Sequence, residues 1–555
     1  MLTRLVGGRV FDPTQNMEDV VSDVYIHDGY FVPPPASESE VDNSIDVSGH
    51  IVMAGAVDIH SHIAGGNVNN ARLLLPERQL AANLRGSDLL KNGRQIGGWT
   101  SRGTGVRYAS MGYTTVVEPA VLPCNAMAAH LMMEDIPIID TAGLAILGND
   151  EYLLGLLKQG VSQEEINQHV AWTLDATRCL GLKVINAGGV ASFKQNVRTF
   201  SFDDEVPSYG VSSRQIVKAL QHAVVNLGVR HPLHVHCNNL GVAGQGIDTV
   251  VETIEAAEGL PMHLAHVQFY AYGREGSLEF SSATSKLIDA WQKHPNITMD
   301  VGQVLFGKTV TISGDLLAQY NNRSFAKPNK TVLVDLECEG GGGVVPYEYR
   351  EANFVNTLQW AIGLELFLLA DDPARIFFTT DHPNGAPFTR YPELFHLLMS
   401  ADYRAEVMTK LNQDALAMTM LPHLKREYTL YEIATMTRSA AAHLMGLDDR
   451  GSLVPGCIAD VAVYKPQNDI SAMFARANLV IKSGKQVVSD GQVIATPHGC
   501  ALHTLPAYDL NYVEHTLEDY YSRYMTIQVG NMCVDRGFDD VSGYERFVNV
   551  PVKAT

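Results

Sequence analysis

The central part of the chain alternates between short apolar runs and longer stretches of helical periodicity. Runs rich in β-branched residues predict buried strands, and apolar residues spaced three and four apart predict amphipathic helices. Such alternation is typical of βα units that build a parallel sheet. Eight apolar runs predict strands, and they cover residues 51–59, 113–118, 137–146, 182–186, 232–236, 261–266, 296–301 and 375–381.

Helical patterns lie between several of these predicted strands. One runs from Ser162 to Leu180, and a second runs from Ser213 to Leu227. Glu165 stands three residues after Ser162, a spacing that suits a capping box. The gap between the seventh and eighth runs spans about 70 residues. A gap of that length is too long for one helix, so it predicts an insertion before the last strand.

Both flanks of this central part read as short strands and turns. Residues 1–50 and 441–500 contain β-branched or aromatic runs separated by turn residues. The economical interpretation is one small composite β domain assembled from both segments, with two separate modules as the alternative. We therefore divide the chain into β segments at 1–50 and 441–500, a barrel at 51–440, and a polar, aromatic extension at 501–555 without an assigned function.

Composition and charge exclude several classes of function. The formal net charge of −20 disfavours nucleic acid and anionic membranes as partners. No apolar stretch reaches the roughly 18 residues that a membrane span requires. The seven cysteines are scattered and form no Cys-x-x-Cys pair, which argues against an iron–sulfur or zinc-finger module. With no apolar leader at the N-terminus, we expect a cytoplasmic protein.

The candidate chemistry lies where the predicted strands end. His60 and His62 close the first apolar run, and both imidazoles leave it on one face because side chains alternate along a strand. A barrel of parallel strands collects its active-site residues at this edge. The pattern therefore predicts a metal centre at the C-terminal ends of five strands. Its six candidate residues are His60, His62, Lys183, His236, His266 and Asp381.

These six positions resemble the metal set of the amidohydrolase superfamily, whose ligands come from barrel strands one, four, five, six and eight. Longer segments are similar to one branch, the A subunits of formylmethanofuran dehydrogenases and of methylotrophic formyltransferase/hydrolase complexes. Leu233-His-Val-His-Cys-Asn-Asn-Leu-Gly and Phe388-Thr-Arg-Tyr-Pro are two such segments, and the likeness runs from residue 1 to about 500. It implies an α/β fold, an amidohydrolase-type (β/α)8 TIM barrel with a composite β domain.

The resemblance implies two Zn²⁺ ions per chain and a carboxylated Lys183. Two divalent ions need a bridging anion, and a deprotonated lysine can add carbon dioxide to form a carbamate, N6-carboxylysine. The alternative for Lys183 is a barrel lysine paired with a carboxylate. Asp381 is the expected catalytic base, which accepts a proton from water and returns it to the leaving nitrogen. Its alternative is a helix N-cap before Pro383. No further acidic residue is expected beside the histidines.

Two segments offer a choice between histidines. His236 is nearer its strand end than His234, so His236 is the expected ligand and His234 is expected to contact the ligands from behind. His263 and His266 are three apart, so alternation places them on opposite faces of the strand. His266 begins His-Val-Gln, similar to the superfamily's His-Val-Ser, and is the expected ligand. His382 stays unassigned.

The resemblance also implies the reaction and the partners. The expected activity is hydrolysis of the N-formyl amide of methanofuran or an analogue, which releases formate in one-carbon oxidation linked to tetrahydromethanopterin. The expected partners are a formyltransferase and other subunits of a hetero-oligomeric complex. Asn239, Gln268 and Arg390 are candidates for orienting the substrate, although core or surface roles stay open. The alternatives are a formylmethanofuran dehydrogenase component that condenses formate with methanofuran, a cyclic amidohydrolase, and a metal-free structural component.

The carbamate hypothesis predicts the behaviour of Lys183→Ala. The variant lacks the bridging group, so we expect it to lose most of its zinc, measured by elemental analysis of the purified protein. Short carboxylic acids added with zinc should restore part of the metal content, because they replace the missing carbamate. Full zinc occupancy in Lys183→Ala without added acid contradicts the hypothesis.

Overall fold

The computed structural model describes residues 1–74, 100–195, 197, 200–276, 278–313, 334–336, 342–534 and 546–553. A small sheet combines strands from both flanks of the barrel, and this composite arrangement was predicted. The strand Val461–Tyr464 runs antiparallel to Ile51–Ala54 and joins the two halves. The strands of this sheet are Leu2–Asp12, Met17–His27, Tyr30–Val32, Asn43–Asp46, Ile51–Ala54, Val461–Tyr464, Leu479–Lys482, Lys485–Ser489 and Gln492–Val493.

A parallel sheet of eight strands forms the barrel, and each of the eight predicted strands is present. The strands pair in chain order, first with second through to seventh with eighth. A parallel bridge between Ser61 and His382 then joins the ends of the first and eighth strands. The eight strands are Ala56–Asp58, Tyr113–Val121, Asp140–Leu147, Gly181–Ile185, Leu233–His236, Met262–Leu264, Ile297–Asp300 and Ile376–Phe377.

The first predicted strand differs from the structure, because residues 51–59 contribute to two sheets. Ile51–Ala54 belongs to the small sheet, and Ala56–Asp58 is the first barrel strand. Gly55 separates them, and a Cβ at that position would lie 2.2 Å from Thr114 Oγ1. Only glycine permits this close approach. A continuous apolar run does not reveal the change of sheet, since both halves are buried.

Helices cover the outside of the barrel. The predicted helix after Ser162 is present as Gln163–Thr177, with the Ser162 hydroxyl accepting from the backbone N–H of Glu165. No helix among the described residues is long and apolar enough to cross a membrane. The α-helices are Gly66–Leu74, Ser101–Ser110, Ala126–Glu134, Glu151–Gln159, Gln163–Thr177, Gly189–Lys194, Ser213–Asn226, Gln245–Ala256, Thr284–Gln292, Phe354–Leu369, Tyr391–Met399, Ala401–Met408, Gln413–Leu416, Leu430–Ala434, Ala440–Leu444, Ile470–Ala475, Leu510–Tyr512 and Glu518–Tyr524.

The predicted insertion between the seventh and eighth strands is a small antiparallel sheet followed by a helix. We call the three-stranded sheet of Gly307–Ser313, Val334–Leu336 and Gly342–Tyr349 the insertion sheet. The helix Phe354–Leu369 then leads back to the eighth strand. The insertion sheet is bound to the segment after that strand, because the Thr309 hydroxyl donates to the carbonyl of Pro383.

The C-terminal extension adds two strands to the barrel sheet. Ala501–His503 runs parallel to the third barrel strand, with Ala501 opposite Thr141. Phe547–Asn549 then pairs with Ala501–His503. Part of the extension therefore has a structural role that its polar and aromatic composition did not indicate.

A buried cluster of charges holds the small sheet against the barrel. Lys482 Nζ, on the small sheet, lies 2.7 Å from Asp140 Oδ2 on the third barrel strand. The same ammonium lies 2.8 Å from Asp460 Oδ2, and Arg450 Nη2 lies 3.1 Å from Asp140 Oδ2. Burial disfavours the ionised form of Asp140, but Lys482 and Arg450 outweigh it and hold the pKa of Asp140 well below its ordinary value.

This cluster predicts a large effect of Lys482→Met on stability. Removing one partner of a buried ion pair leaves a charge without compensation, so we expect the free energy of unfolding to fall by about 3–5 kcal/mol. Chemical denaturation followed by circular dichroism measures it. Lys485→Met is the matched control, because Lys485 is exposed on the neighbouring strand. Equal stabilities of the two variants would contradict the role given to the cluster.

Candidate metal centre

The structure brings the six candidate residues together at the C-terminal edge of the barrel. His60 Nε2 lies 3.1 Å from Asp381 Oδ1 and 3.3 Å from Lys183 Nζ. His62 Nε2 lies 3.3 Å from the same Asp381 oxygen. Four of the six candidates thus converge around Asp381 Oδ1 and His60 Nε2, although they come from the ends of the first, fourth and eighth strands.

His236 and His266 complete the group on the side of the fifth and sixth strands. Their ring centroids are 4.6 Å apart, and the His266 ring lies 5.5 Å from the ring of His60. Ligand atoms of His60, His266 and Asp381 lie within 4.8 Å of one another, close enough to share one cation.

Two of these atoms support a metal site independently of the spacing. His266 Nδ1 and Asp381 Oδ1 are buried, and neither has a hydrogen-bond partner among the residues that the structure describes. A buried polar atom without a partner is costly, since it has lost its water and gained nothing. Imidazole nitrogens and a carboxylate oxygen are the ligands that zinc takes in proteins. The donor set therefore fits a divalent metal.

Two buried carboxylates orient the histidines of the first strand. Asp300 Oδ2 lies 2.9 Å from His60 Nδ1, and Glu118 Oε1 lies 3.0 Å from His62 Nδ1. Each imidazole is thereby held with its Nε2 directed to the centre of the site, as is common for metal-binding histidines. The expectation that no further acidic residue lies beside the histidines is therefore wrong.

The missed carboxylates carry a signal that the sequence does contain. Glu118 is the last residue of the second predicted strand, and Asp300 lies at the end of the seventh. Both therefore stand at the edge where the site was expected. Sequence alone could not pair Asp300 with His60 or Glu118 with His62, because each pair is brought together only when the barrel closes.

Asp300 is shared by several groups beneath the site. Its Oδ1 accepts from the backbone N–H of His266 at 2.6 Å, and its Oδ2 lies 3.0 Å from His263 Nε2. Burial disfavours its ionised form, but His60 and His263 outweigh this and hold the pKa of Asp300 far below its ordinary value. His234 Nε2 lies 3.2 Å from His60 Nδ1, behind the ligand face as expected.

The expectation that His263 and His266 lie on opposite faces is wrong. The sixth strand ends at Leu264, and His266 adopts a left-handed backbone conformation with φ of 36°. Strict alternation therefore stops before His266 is reached. Both rings lie around Asp300 and His60, with His263 on the inner side and His266 at the open edge.

The environment of Lys183 suits a neutral amine. Its side chain is fully buried inside the barrel, and this burial lowers the pKa of Lys183, although Asp381, Asp300 and Glu118 oppose the effect. His62 responds in the opposite direction. Burial lowers its pKa, but Glu118 and Asp381 outweigh burial and raise the pKa of His62 to about 9. Both shifts follow from a pocket that is dry and rich in carboxylates.

The three candidates for orienting a substrate have partners elsewhere in the fold. Asn239 Nδ2 donates to Thr249 Oγ1 at 3.0 Å, and Arg390 Nη1 donates to the carbonyl of Phe306 at 2.8 Å. Gln268 Nε2 donates to the hydroxyl of Tyr272 at 2.7 Å. Gln268 Oε1, in contrast, is buried without a hydrogen-bond partner among the described residues.

Comparison with known proteins agrees with this geometry. Residues 43–495 match the family model described as the amidohydrolase family. The chain belongs to the amidohydrolase family. Membership of this family identifies the chain as a hydrolase, and the grouped histidines and aspartate are its candidate metal ligands.

Two curated relatives and one solved structure are similar over nearly the whole amidohydrolase chain. The A subunit of the formyltransferase/hydrolase complex Fhc from Methylorubrum extorquens is 51% identical over 500 residues, which cover 89% of this chain and 90% of that protein. Protein FwdA from Methanocaldococcus jannaschii is 34% identical over 549 residues, with 94% and 95% coverage. The crystal structure of the complex FhcABCD from M. extorquens with methylofuran superposes with a TM-score of 0.93 at 47% identity, covering 100% of both chains.

The orienting carboxylates predict that Glu118→Gln binds metal more weakly. A glutamine amide group has one acceptor oxygen, whereas Glu118 accepts from His62 and from the backbone of Ile63 and Ala64. We expect zinc affinity to fall about 10- to 100-fold, measured by competition with a chelating dye.

Glu365→Gln is the matched control for this measurement. Glu365 is equally buried and accepts from Ser282, Thr284 and the backbone N–H of Leu421, none of them among the six candidates. We expect its zinc affinity to equal that of the unmodified protein. Equal zinc affinities of Glu118→Gln and Glu365→Gln would contradict an orienting role for Glu118.

Proposed function

We propose that this chain is a cytoplasmic binuclear zinc hydrolase that cleaves the N-formyl amide of methanofuran or an analogue and releases formate. The proposal includes a place in one-carbon oxidation linked to tetrahydromethanopterin, with a formyltransferase among its partner subunits. The observation that carries it is the convergence of all six candidate residues in a chain 51% identical to the corresponding component of the Fhc complex. The bound methylofuran of the FhcABCD structure supports the choice of substrate.

Six residues would hold the metal pair, and Lys183 would do so as its carbamate. The residues are His60, His62, carboxylated Lys183, His236, His266 and Asp381. When bound, two zinc ions polarise the formyl oxygen and make water a nucleophile near neutral pH. The low pKa of buried Lys183 supports carboxylation, because only the neutral amine adds carbon dioxide.

Asp381 is the proton carrier in this proposal. Its Oδ1 faces His60 and His62, at the centre of the cluster. Asp381 accepts the proton of the attacking water and delivers it to the amide nitrogen as the bond between that nitrogen and the formyl carbon breaks. The products are formate and the free amine. Gln268 is the best supported of the three candidates for orienting the substrate, because its buried Oε1 lacks a partner among the described residues, and Asn239 and Arg390 stay candidates.

The test measures formate released from an N-formyl methanofuran analogue by the zinc-loaded protein. We expect Asp381→Asn to lower turnover by roughly a hundredfold or more, because the amide cannot accept the proton. Zinc content is measured in parallel, so that lost metal is distinguished from lost catalysis. Near-normal turnover in zinc-loaded Asp381→Asn assigns the base elsewhere, and no release of formate by the unmodified protein rejects the proposed activity.

The second candidate is a component of a formylmethanofuran dehydrogenase, and the identity of 34% with FwdA favours it. There the same site would condense formate with methanofuran during reduction of carbon dioxide. The metals of the native complex separate the two. Zinc without tungsten, molybdenum or iron–sulfur supports the hydrolase complex, and either redox metal at stoichiometric level supports the dehydrogenase. Absence of zinc would favour a metal-free structural component.

A further inference from the structure

The segment after the eighth barrel strand connects the insertion sheet to Asp381. Tyr349, the last residue of the insertion sheet, donates its hydroxyl to the carbonyl oxygen of Asn384 at 3.0 Å. Asn384 Nδ2 in turn donates to Asp381 Oδ2 at 2.9 Å. Both Tyr349 and Asn384 are buried. Two hydrogen bonds therefore lead from an element outside the barrel to one of the six candidate ligands.

The Asn384 amide determines which oxygen of Asp381 faces the cluster. Its bond occupies Oδ2, whereas Oδ1 lies 3.1 Å from His60 Nε2 and 3.3 Å from His62 Nε2. A carboxylate can rotate about its terminal torsion with little resistance, so its orientation depends on what its oxygens contact. Without the amide donor, nothing described on the Oδ2 side matches that bond.

The backbone at Asp381 makes such a contact necessary. The eighth strand ends at Phe377, and Asp381 has a left-handed φ of 49°, so the regular strand does not direct this side chain. The Asp381 N–H is fixed by Thr379 Oγ1 at 2.7 Å, and the Asn384 N–H donates to the Asp381 carbonyl at 2.6 Å. A tight turn thus brings the Asn384 side chain next to the Asp381 carboxylate.

We propose that Asn384 is a positioning residue that directs Asp381 Oδ1 to the metal pair, and that the insertion sheet holds Asn384 in place through Tyr349. The insertion sheet and the ligand aspartate are thereby coupled. An amide suits this role because it donates a hydrogen bond without adding charge, whereas an aspartate at position 384 would repel Asp381. The proposal rests on the metal centre of the proposed function, but not on its substrate.

The test measures zinc affinity of the full chain by chelator competition, for Asn384→Ala, Asn384→Asp and Tyr349→Phe. We expect the two Asn384 variants to bind zinc about 10- to 100-fold more weakly, because Asp381 loses its fixed orientation. Tyr349→Phe should weaken binding by a smaller factor, since Asn384 keeps its own bond to Asp381. The cobalt-substituted proteins should show altered visible absorption bands in the same order, because these bands report ligand geometry.

Tyr347→Phe is the matched control. Tyr347 lies two residues before Tyr349 on the same strand, and its hydroxyl accepts from Asn356 Nδ2 at 3.0 Å. We expect its zinc affinity and cobalt spectrum to equal those of the unmodified protein. Unchanged zinc affinity and spectra in folded Asn384→Asp would overturn the positioning role. Equal behaviour of Tyr349→Phe and Tyr347→Phe would overturn the coupling to the insertion sheet. Either outcome is independent of formate release, so failure of the proposed substrate leaves this test intact.

Discussion

The metal centre depends on closure of the barrel between its first and eighth strands. The backbone N–H of His62 donates to the carbonyl of His382 at 2.9 Å, and the Thr379 hydroxyl donates to the carbonyl of His60 at 2.5 Å. The same hydroxyl oxygen accepts from the N–H of Asp381 at 2.7 Å. These bonds set the separation between the two histidines and the aspartate, so the site exists only in the closed barrel.

Closure also buries charge, and the structure compensates it with shared carboxylates. Asp300 contacts His60, His263 and the backbone of His266, and Glu118 contacts His62 and the segment that follows it. Each carboxylate thereby satisfies several donors that would otherwise be buried without partners. The same contacts orient the imidazoles. Stability and ligand geometry therefore rest on the same hydrogen bonds, which explains why polar residues are retained inside this barrel.

Left-handed residues mark the transition from strand to site. Asp381 and His266 have φ values of 49° and 36°, and each is a candidate ligand that follows a short strand. Such conformations are unfavourable for these residue types and persist only where the surroundings hold them. At Asp381 the surroundings are Thr379 and Asn384, and Asn384 is held by Tyr349 of the insertion sheet. The elements added to the barrel thus take part in shaping the site.

The sequence by itself determined the eight strands, the composite β domain, the insertion and the six candidate metal residues, because apolar runs, turn residues and strand ends are local patterns. It did not determine that residues 51–59 change sheet at Gly55, since both halves are equally apolar. It also did not reveal that Asp300 belongs to His60, that Glu118 belongs to His62, or that His263 and His266 share one side. Those relations depend on the curvature of the closed sheet and on backbone turns after the strands, and only the tertiary structure places such distant residues within hydrogen-bonding distance.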